Sequence, residues 1–157
     1  TVKTPSKALI DLSSLAESAP SLSIHVRRGD YLKFNDIYIE LGIDYYTEAL
    51  NAALTAQPQV SQVFVFSDDM KIAGDLLRGV LNRHDVIWVG ENSNLNDLES
   101  LALMTKMSAN ILANSTFSYW GALLNASAKV VIAPSKWFVD ADMQTPTMPH
   151  DWLLIEP

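Results

Sequence analysis

The segment SQVFVFS, residues 61–67, decides the fold class. Its four central side chains, from Val63 to Phe66, are all apolar. A strand that faces water on one side alternates apolar and polar residues, whereas an uninterrupted apolar run is typical of a strand buried on both faces. Strands of that kind occur in parallel sheets that helices cover. The segment therefore predicts a central strand of an α/β domain.

Strand and helix patterns alternate on both sides of this segment. Further strands are predicted at residues 21–26, 86–90, 110–113 and 129–133, and helices from residue 4, from residue 44, at 68–78, at 98–107 and after residue 115. Asp44 is the predicted N-cap of the second helix, and Asn96 with Glu99 forms a predicted capping box for the fourth. This alternation predicts a Rossmann-like parallel sheet with helices on both faces.

The chain has 157 residues, which fits a single domain of ordinary size. We expect residues 1–20 to form a leading helix and linker, and residues 21–134 to form the α/β core. The remaining residues, 135–157, are rich in Pro and Met and are expected to wrap the surface as a tail, with Trp152 as an anchor.

Composition excludes several classes of function. The formal net charge is -7, which argues against nucleic-acid partners and anionic membranes because both need spread positive charge. No apolar run approaches the roughly 18 residues that span a bilayer, so no transmembrane segment is expected in this chain. The chain has no cysteine, which excludes disulfides and thiolate metal sites. It also lacks the glycine-rich signatures of dinucleotide and P-loop sites.

Three loops that follow predicted strands carry most of the reactive side chains. They are HVRRGDY at residues 25–31, FSDDM at 66–70 and LANSTFSYW at 112–120. In open parallel sheets, ligands bind in the crevice outside the carboxyl ends of the strands. The sequence therefore predicts a ligand site where these three loops meet.

The first loop places two arginines together in an acidic chain. Arg27 and Arg28 could clamp phosphate oxygens with their forked guanidinium groups, which Lys cannot do as well. They could equally form a structural ion pair with Asp30 or Asp36. A third interpretation is that the tripeptide Arg28-Gly29-Asp30 is an adhesion motif, which requires an exposed, flexible loop.

The other two loops carry acids and hydroxyls. One of Asp68 and Asp69 is expected to cap the following helix, and the other could accept hydrogen bonds from a base or sugar. The pair could also bind a divalent ion, but no third ligand is evident nearby, so no metal is expected. Ser115 and Thr116 precede a helix, whose N-terminus with such hydroxyls can bind an anion.

Taken together, the motifs SIHVRRGDY, FVFSDD and NSTFSYWGALLN, in this order and at these separations, resemble the α-1,2-fucosyltransferases. Members of that family add fucose from GDP-fucose to a terminal galactose. HVRRGDY is also similar to an H-x-R-R-G-D signature shared more loosely with α-1,6- and protein O-fucosyltransferases. The resemblance covers residues 21–134, which is most of the chain.

This resemblance implies a two-lobed transferase of the GT-B type, in which GDP-fucose binds mainly to the carboxyl-terminal lobe. The chain matches that GDP-sugar-binding lobe. The amino-terminal lobe, which helps to form the acceptor cleft, is expected to be absent from it.

The resemblance also assigns roles by motif position. Arg27 would bind the β-phosphate of GDP as a catalytic residue, with Arg28 supporting it. His25 would lie beside the guanine and contact it through its backbone. Asp69, in preference to Asp68, would accept a hydrogen bond from the guanine amino group. Phosphate oxygens would be held by Ser115, Thr116 and Ser118.

Such transferases invert the anomeric carbon without a metal, so the resemblance implies no cofactor beyond the donor GDP-fucose. Asp30 is the expected catalytic base by position, with Glu40 or a residue of the absent lobe as alternatives. The expected acceptor is a galactose-terminated glycan. The expected location is the cytoplasm or the periphery of the membrane where glycans are assembled. The alternative function is a nucleotide-binding regulatory or scaffolding module without turnover of its own.

Overall fold

The structure, a computed structural model, describes residues 2–29, 31–81, 84–90 and 93–157. Within these residues, six strands form one sheet. They are β1 Ser21–Val26, β2 Gln62–Ser67, β3 Asp85–Val89, β4 Ala109–Ile111, β5 Val130–Pro134 and β6 Leu153–Ile155. The helices are α1 Lys7–Ser18, α2 Ile43–Ala56, α3 Met70–Leu77, α4 Asp97–Met104 and α5 Thr116–Leu123, and a short 3-10 turn spans Tyr31–Lys33.

All strand pairs of the sheet are parallel, and the strand order is β3-β2-β1-β4-β5-β6. The chain first adds strands on one side of β1 and then crosses to the other side of β1 to form β4. The crevice at such a reversal, between the carboxyl ends of the first and fourth strands, is where α/β sheets of this order bind ligands. The predicted fold class, a Rossmann-like parallel sheet, is confirmed.

The side chains of β2 show why this strand must be buried on both faces. Val65 packs in one cluster with Tyr46 of α2 and Leu77 of α3. Its neighbour Phe66 points to the opposite face and packs with Met104 of α4. Each buried side chain of this size stabilises the fold by about 1.5–3 kcal/mol relative to exposure. The apolar run of β2 therefore joins two helical layers across the sheet.

Most of the predicted helix starts agree with the structure. Asn96 accepts the Glu99 N–H while the Glu99 carboxylate accepts the Asn96 N–H, so the predicted capping box is confirmed. The prediction for α2 is wrong, because Gly42 is the N-cap and makes no side-chain cap bond. Asp44 lies in the first turn of α2 instead. A carboxylate there still interacts favourably with the helix dipole.

The carboxyl-terminal tail adds a strand that was not predicted. β6 pairs with β5 in parallel, and Trp152 packs against a small cluster that includes Ala133. Closer to the start of the tail, Phe138 forms an antiparallel bridge with Tyr38, so the tail also pairs with the loop that follows β1. The tail thus extends the sheet as well as covering its edge.

Candidate functional site

The three motif-bearing loops meet at the carboxyl edge of the sheet, around a cleft of about 350 Å³. His25 and Arg27 line it from the end of β1, and Asp68 lines it from the end of β2. Phe117 of α5 forms another wall. The cleft is also lined by Gly90, Leu95, Asp97 and Ser100. Among the described residues, its lining therefore combines the cationic Arg27 with the carboxylates of Asp68 and Asp97 and with apolar side chains.

Arg27 lies in the wall of this cleft with its side chain 30% exposed. Its Nη1 is 3.1 Å from Oδ2 of Asp68. The guanidinium also lies over the ring of Tyr31, 5.1 Å from the ring centroid, which is a cation–π contact. A carboxylate on one side and an aromatic ring on another fix the orientation of the guanidinium.

Arg28 turns into the protein and is only 4% exposed. Its guanidinium donates a hydrogen bond to the Leu41 carbonyl and lies 3.3 Å from the Glu40 carboxylate. These contacts hold the end of the long loop against the sheet. The adhesion interpretation of Arg28-Gly29-Asp30 is wrong, because a buried Arg28 cannot reach a partner protein. Asp30 itself lies outside the described residues.

His25 is buried, and burial lowers the pKa of its imidazole to about 4. The nearby Asp68 opposes this pKa shift, and Arg27 adds to it. The imidazole is therefore neutral near pH 7. The His25 carbonyl already accepts a hydrogen bond from the Tyr46 hydroxyl at 3.0 Å. In the part of the chain that the structure describes, the buried Nδ1 of His25 has no hydrogen-bond partner.

The two aspartates after β2 have different surroundings. Asp69 is the N-cap of α3, and its Oδ1 accepts the Ile72 N–H at 2.9 Å. Asp68 lines the cleft and bonds to the segment after β1, where it accepts the Arg28 N–H at 2.9 Å. The expectation that one aspartate caps the helix is confirmed. The assignment of the guanine amino group to Asp69 stays a prediction.

The hydroxyls near α5 also differ from one another. Ser115 is buried and caps α5 by accepting the Phe117 N–H at 3.3 Å. Thr116 is exposed at the first helical position. Ser118 is buried and donates to the carbonyls of Ala113 and Ser115. Of the three, Thr116 therefore has the hydroxyl most open to a phosphate oxygen.

Two features of the site were missed by sequence reasoning. The buried Asn114 amide donates to the carbonyls of Ile39 at 2.8 Å and Trp137 at 3.1 Å, which ties the long loop and the tail to the β4–α5 turn. Asp97 and Ser100 line the cleft, although their positions near Asn96 suggested only a helix start. The spacing of residues along the chain predicts neither the Asn114 hydrogen bonds nor the cleft positions of Asp97 and Ser100, because both depend on segments that are distant in sequence.

Within the described residues, no group of three His, Asp or Glu side chains could hold a metal ion. Among the same residues, no helix is long and apolar enough to cross a membrane.

Comparison with known protein families adds a second line of evidence. The family model described as "Glycosyl transferase family 11" matches residues 8–156. The chain belongs to glycosyl transferase family 11. The family predicted from the three motifs is thereby confirmed, and the match extends through α1 at one end and β6 at the other.

Two curated proteins of Escherichia coli are similar to this member of family 11. O-antigen biosynthesis glycosyltransferase WbnK is 36% identical over 147 residues, which cover 88% of this chain and 46% of WbnK. An alpha-1,2-colitosyltransferase is 31% identical over 154 residues, which cover 93% of this chain and 51% of that enzyme. The chain therefore spans about half the length of these relatives.

Two solved structures that share this fold are fucosyltransferases. The crystal structure of NodZ alpha-1,6-fucosyltransferase soaked with GDP-fucose superposes with a TM-score of 0.51 at 19% identity, over 78% of this chain and 43% of that one. The crystal structure of POFUT1 in complex with GDP-fucose gives a TM-score of 0.56 at 13% identity, over 82% and 46% of the two chains. At such low identity the likeness shows the fold alone.

Proposed function

We propose that this chain is the GDP-fucose-binding lobe of an inverting, metal-independent transferase that moves L-fucose to the 2-hydroxyl of a terminal galactose. The observation that carries the proposal is the position of Arg27 in the cleft wall, at the end of β1 where the strand order reverses. Membership of family 11 supports glycosyl transfer as the class of reaction.

The electrostatics of the cleft suit a departing nucleoside diphosphate. As the bond between fucose and the β-phosphate breaks, negative charge develops on the phosphate oxygens. A guanidinium that is already oriented stabilises that charge without reorganisation, and so do free N–H groups at a helix N-terminus. Arg27 supplies the first, and the start of α5 near Thr116 supplies the second. Arg28 supports Arg27 by fixing the adjoining loop.

Other residues of the cleft suit a nucleobase. Leu95 and Phe117 line it with apolar side chains, and the His25 ring in its wall is neutral. Guanine carries an amino group that needs an acceptor, and the Asp97 carboxylate at the start of α4 lines the same cleft. We propose Asp97 for this contact ahead of Asp69, because the Asp69 carboxylate already caps α3.

Inverting transfer also requires a base that removes the proton from the acceptor hydroxyl. Asp30 remains our first candidate and falls outside the described residues. Glu40 is the second, and its carboxylate is 60% exposed while it pairs with Arg28 at 3.3 Å. We propose that the acceptor is a galactose-terminated glycan, and that the protein works in the cytoplasm or at the periphery of the membrane where glycans are assembled.

A transfer assay tests this proposal. The full-length protein that contains this chain is incubated with GDP-fucose and a β-galactoside, with and without EDTA, and the product is analysed by NMR. We expect an α-1,2-linked fucoside in both conditions. Binding of GDP with no transfer to any galactoside would favour the non-catalytic nucleotide-binding module. Transfer that stops in EDTA would contradict the metal-free mechanism.

A further inference from the structure

The Asp68 carboxylate uses both of its oxygens on the segment that follows β1. Oδ1 accepts the Arg28 N–H at 2.9 Å, and Oδ2 lies 3.1 Å from Nη1 of Arg27. The adjacent pairing of Val26 with Ser67 in the sheet brings the two strand ends side by side. One carboxylate thus fixes both the backbone turn and the side chain that faces the cleft.

Gly29 provides the space for this carboxylate. A Cβ atom at Gly29 would overlap Oδ2 of Asp68 and lie 3.1 Å from its Cγ. No described glycine has a positive φ, so the backbone at Gly29 is one that other residues can adopt. Glycine is therefore needed here for room beside Asp68, and a side chain would push the carboxylate away from Arg27.

The Asp68 contact engages the guanidinium of Arg27 at Nη1, and the same residue lines the cleft. A guanidinium has five N–H donors, and the Asp68 contact at Nη1 uses one of its edges. An arginine side chain has many rotamers, and a group that holds it in one of them removes an ordering step from ligand binding. The Asp68 carboxylate also places a negative charge near an incoming diphosphate. This charge repels the diphosphate and so weakens its binding, whereas the orientation of Arg27 strengthens it.

We propose that Asp68 is a positioning residue that aims Arg27 at the diphosphate, and that Gly29 is the residue that permits it. Orientation outweighs charge repulsion, because Asp68 holds the guanidinium and the adjoining backbone together. This inference rests on the proposed function, since it assumes that the cleft binds GDP.

The first test is a double-mutant cycle on GDP affinity, measured by calorimetry on the 157-residue chain. Asp68→Asn keeps an acceptor for the Arg28 N–H but presents an amide to Arg27. We expect it to weaken GDP binding about tenfold, and we expect Arg27→Ala to cost about a hundredfold alone but only about tenfold in the Asp68→Asn background. The inference would be overturned if Arg27→Ala weakened GDP binding equally in the wild-type and Asp68→Asn proteins. Tighter GDP binding by Asp68→Asn would also overturn it.

The second test examines the space at Gly29. Gly29→Ala should weaken GDP binding about tenfold, but by no more than about twofold in an Asp68→Ala background, where the added methyl group meets no carboxylate. Gly79→Ala is the matched control, because nothing lies within 4 Å of a Cβ built there. A loss from Gly29→Ala that is the same in both backgrounds would show that Asp68 is not what the glycine accommodates.

A third measurement separates this inference from the proposed function. In ligand-free protein, the Nε–Hε NMR signal of Arg27 should be that of an ordered guanidinium and should become averaged in Asp68→Asn. An unchanged Arg27 signal would refute the positioning role whether or not GDP binds. If the wild-type chain fails to bind GDP while the Arg27 signal depends on Asp68, the proposed function fails and the Asp68–Arg27 contact stands.

Discussion

Arg27 and Arg28 are neighbours in sequence but have different environments. Arg27 faces the cleft between Asp68 and the Tyr31 ring, whereas Arg28 is buried against the Leu41 carbonyl. A buried guanidinium needs several partners to offset its lost hydration, so the loop that ends at Leu41 folds back over it. Arg27 pairs with Asp68 and Arg28 with Glu40, and neither acid is a partner that the sequence suggested. Because Arg27 also lines the cleft, an ion pair and a phosphate contact are compatible at that residue.

His25 should make stability depend on pH. Its pKa of about 4 in the folded state lies below the usual histidine value of 6.5, so the unfolded chain binds the proton more readily between these pH values. The contribution of neutral His25 to the free energy of unfolding is present in full above pH 6.5. As the pH falls towards 4, roughly 3 kcal/mol of this contribution is lost.

Denaturant unfolding of the wild type and of His25→Phe at pH 7.5 and pH 4 checks this expectation. Because the variant lacks the imidazole, the wild type should lose roughly 3 kcal/mol more of its free energy of unfolding than the variant over this interval. An equal loss in both proteins would contradict the assigned pKa of His25.

At the scale of elements, the starts of three helices shape the cleft. Asp69 caps α3, Asn96 and Glu99 cap α4, and Ser115 caps α5. Each helix begins at the edge of the sheet where the cleft lies, so residues beside the caps, such as Asp97, become cleft residues. The local capping signals were readable from sequence, but which neighbours face the cleft depends on how the helices pack.

Asn114 joins three segments, and its loss should be costly. Asn114→Ala leaves the Ile39 and Trp137 carbonyls without this donor, at about 1 kcal/mol each, so we expect the free energy of unfolding to fall by about 2 kcal/mol. Asn51→Ala, on the exposed face of α2, is the matched control and should change stability little. A loss for Asn114→Ala no larger than that of the control would contradict its bridging role.

At the scale of the whole molecule, the sequence predicted the sheet because its strands are marked by long apolar runs and bounded by loops. It did not predict β6, since three residues with an exposed leucine pair carry no strand pattern on their own. Asp44 as a cap was wrong because the N-cap of α2 is Gly42, two residues earlier, and the first helical residue is Ile43. The three motifs located the cleft, but the partners of Arg27, Arg28 and Asn114 depend on long-range contacts.

The fold and the family also limit which activities can be expected of this chain by itself. It spans about half the length of its two Escherichia coli relatives, and its cleft opens at the carboxyl edge of a single sheet. If the proposed function is right, this chain binds the nucleotide, and we propose that acceptor choice needs a second lobe.

Titration of the 157-residue chain with GDP in a calorimeter tests the central claim most directly. We predict that GDP binds equally with and without EDTA. Arg27→Ala should weaken binding about a hundredfold and Arg27→Lys about tenfold, because an ammonium cannot replace the guanidinium fork. Arg78→Ala, an exposed arginine on the far end of α3, should bind GDP like the wild type. Absence of binding at millimolar GDP, or wild-type affinity in Arg27→Ala, would contradict the account.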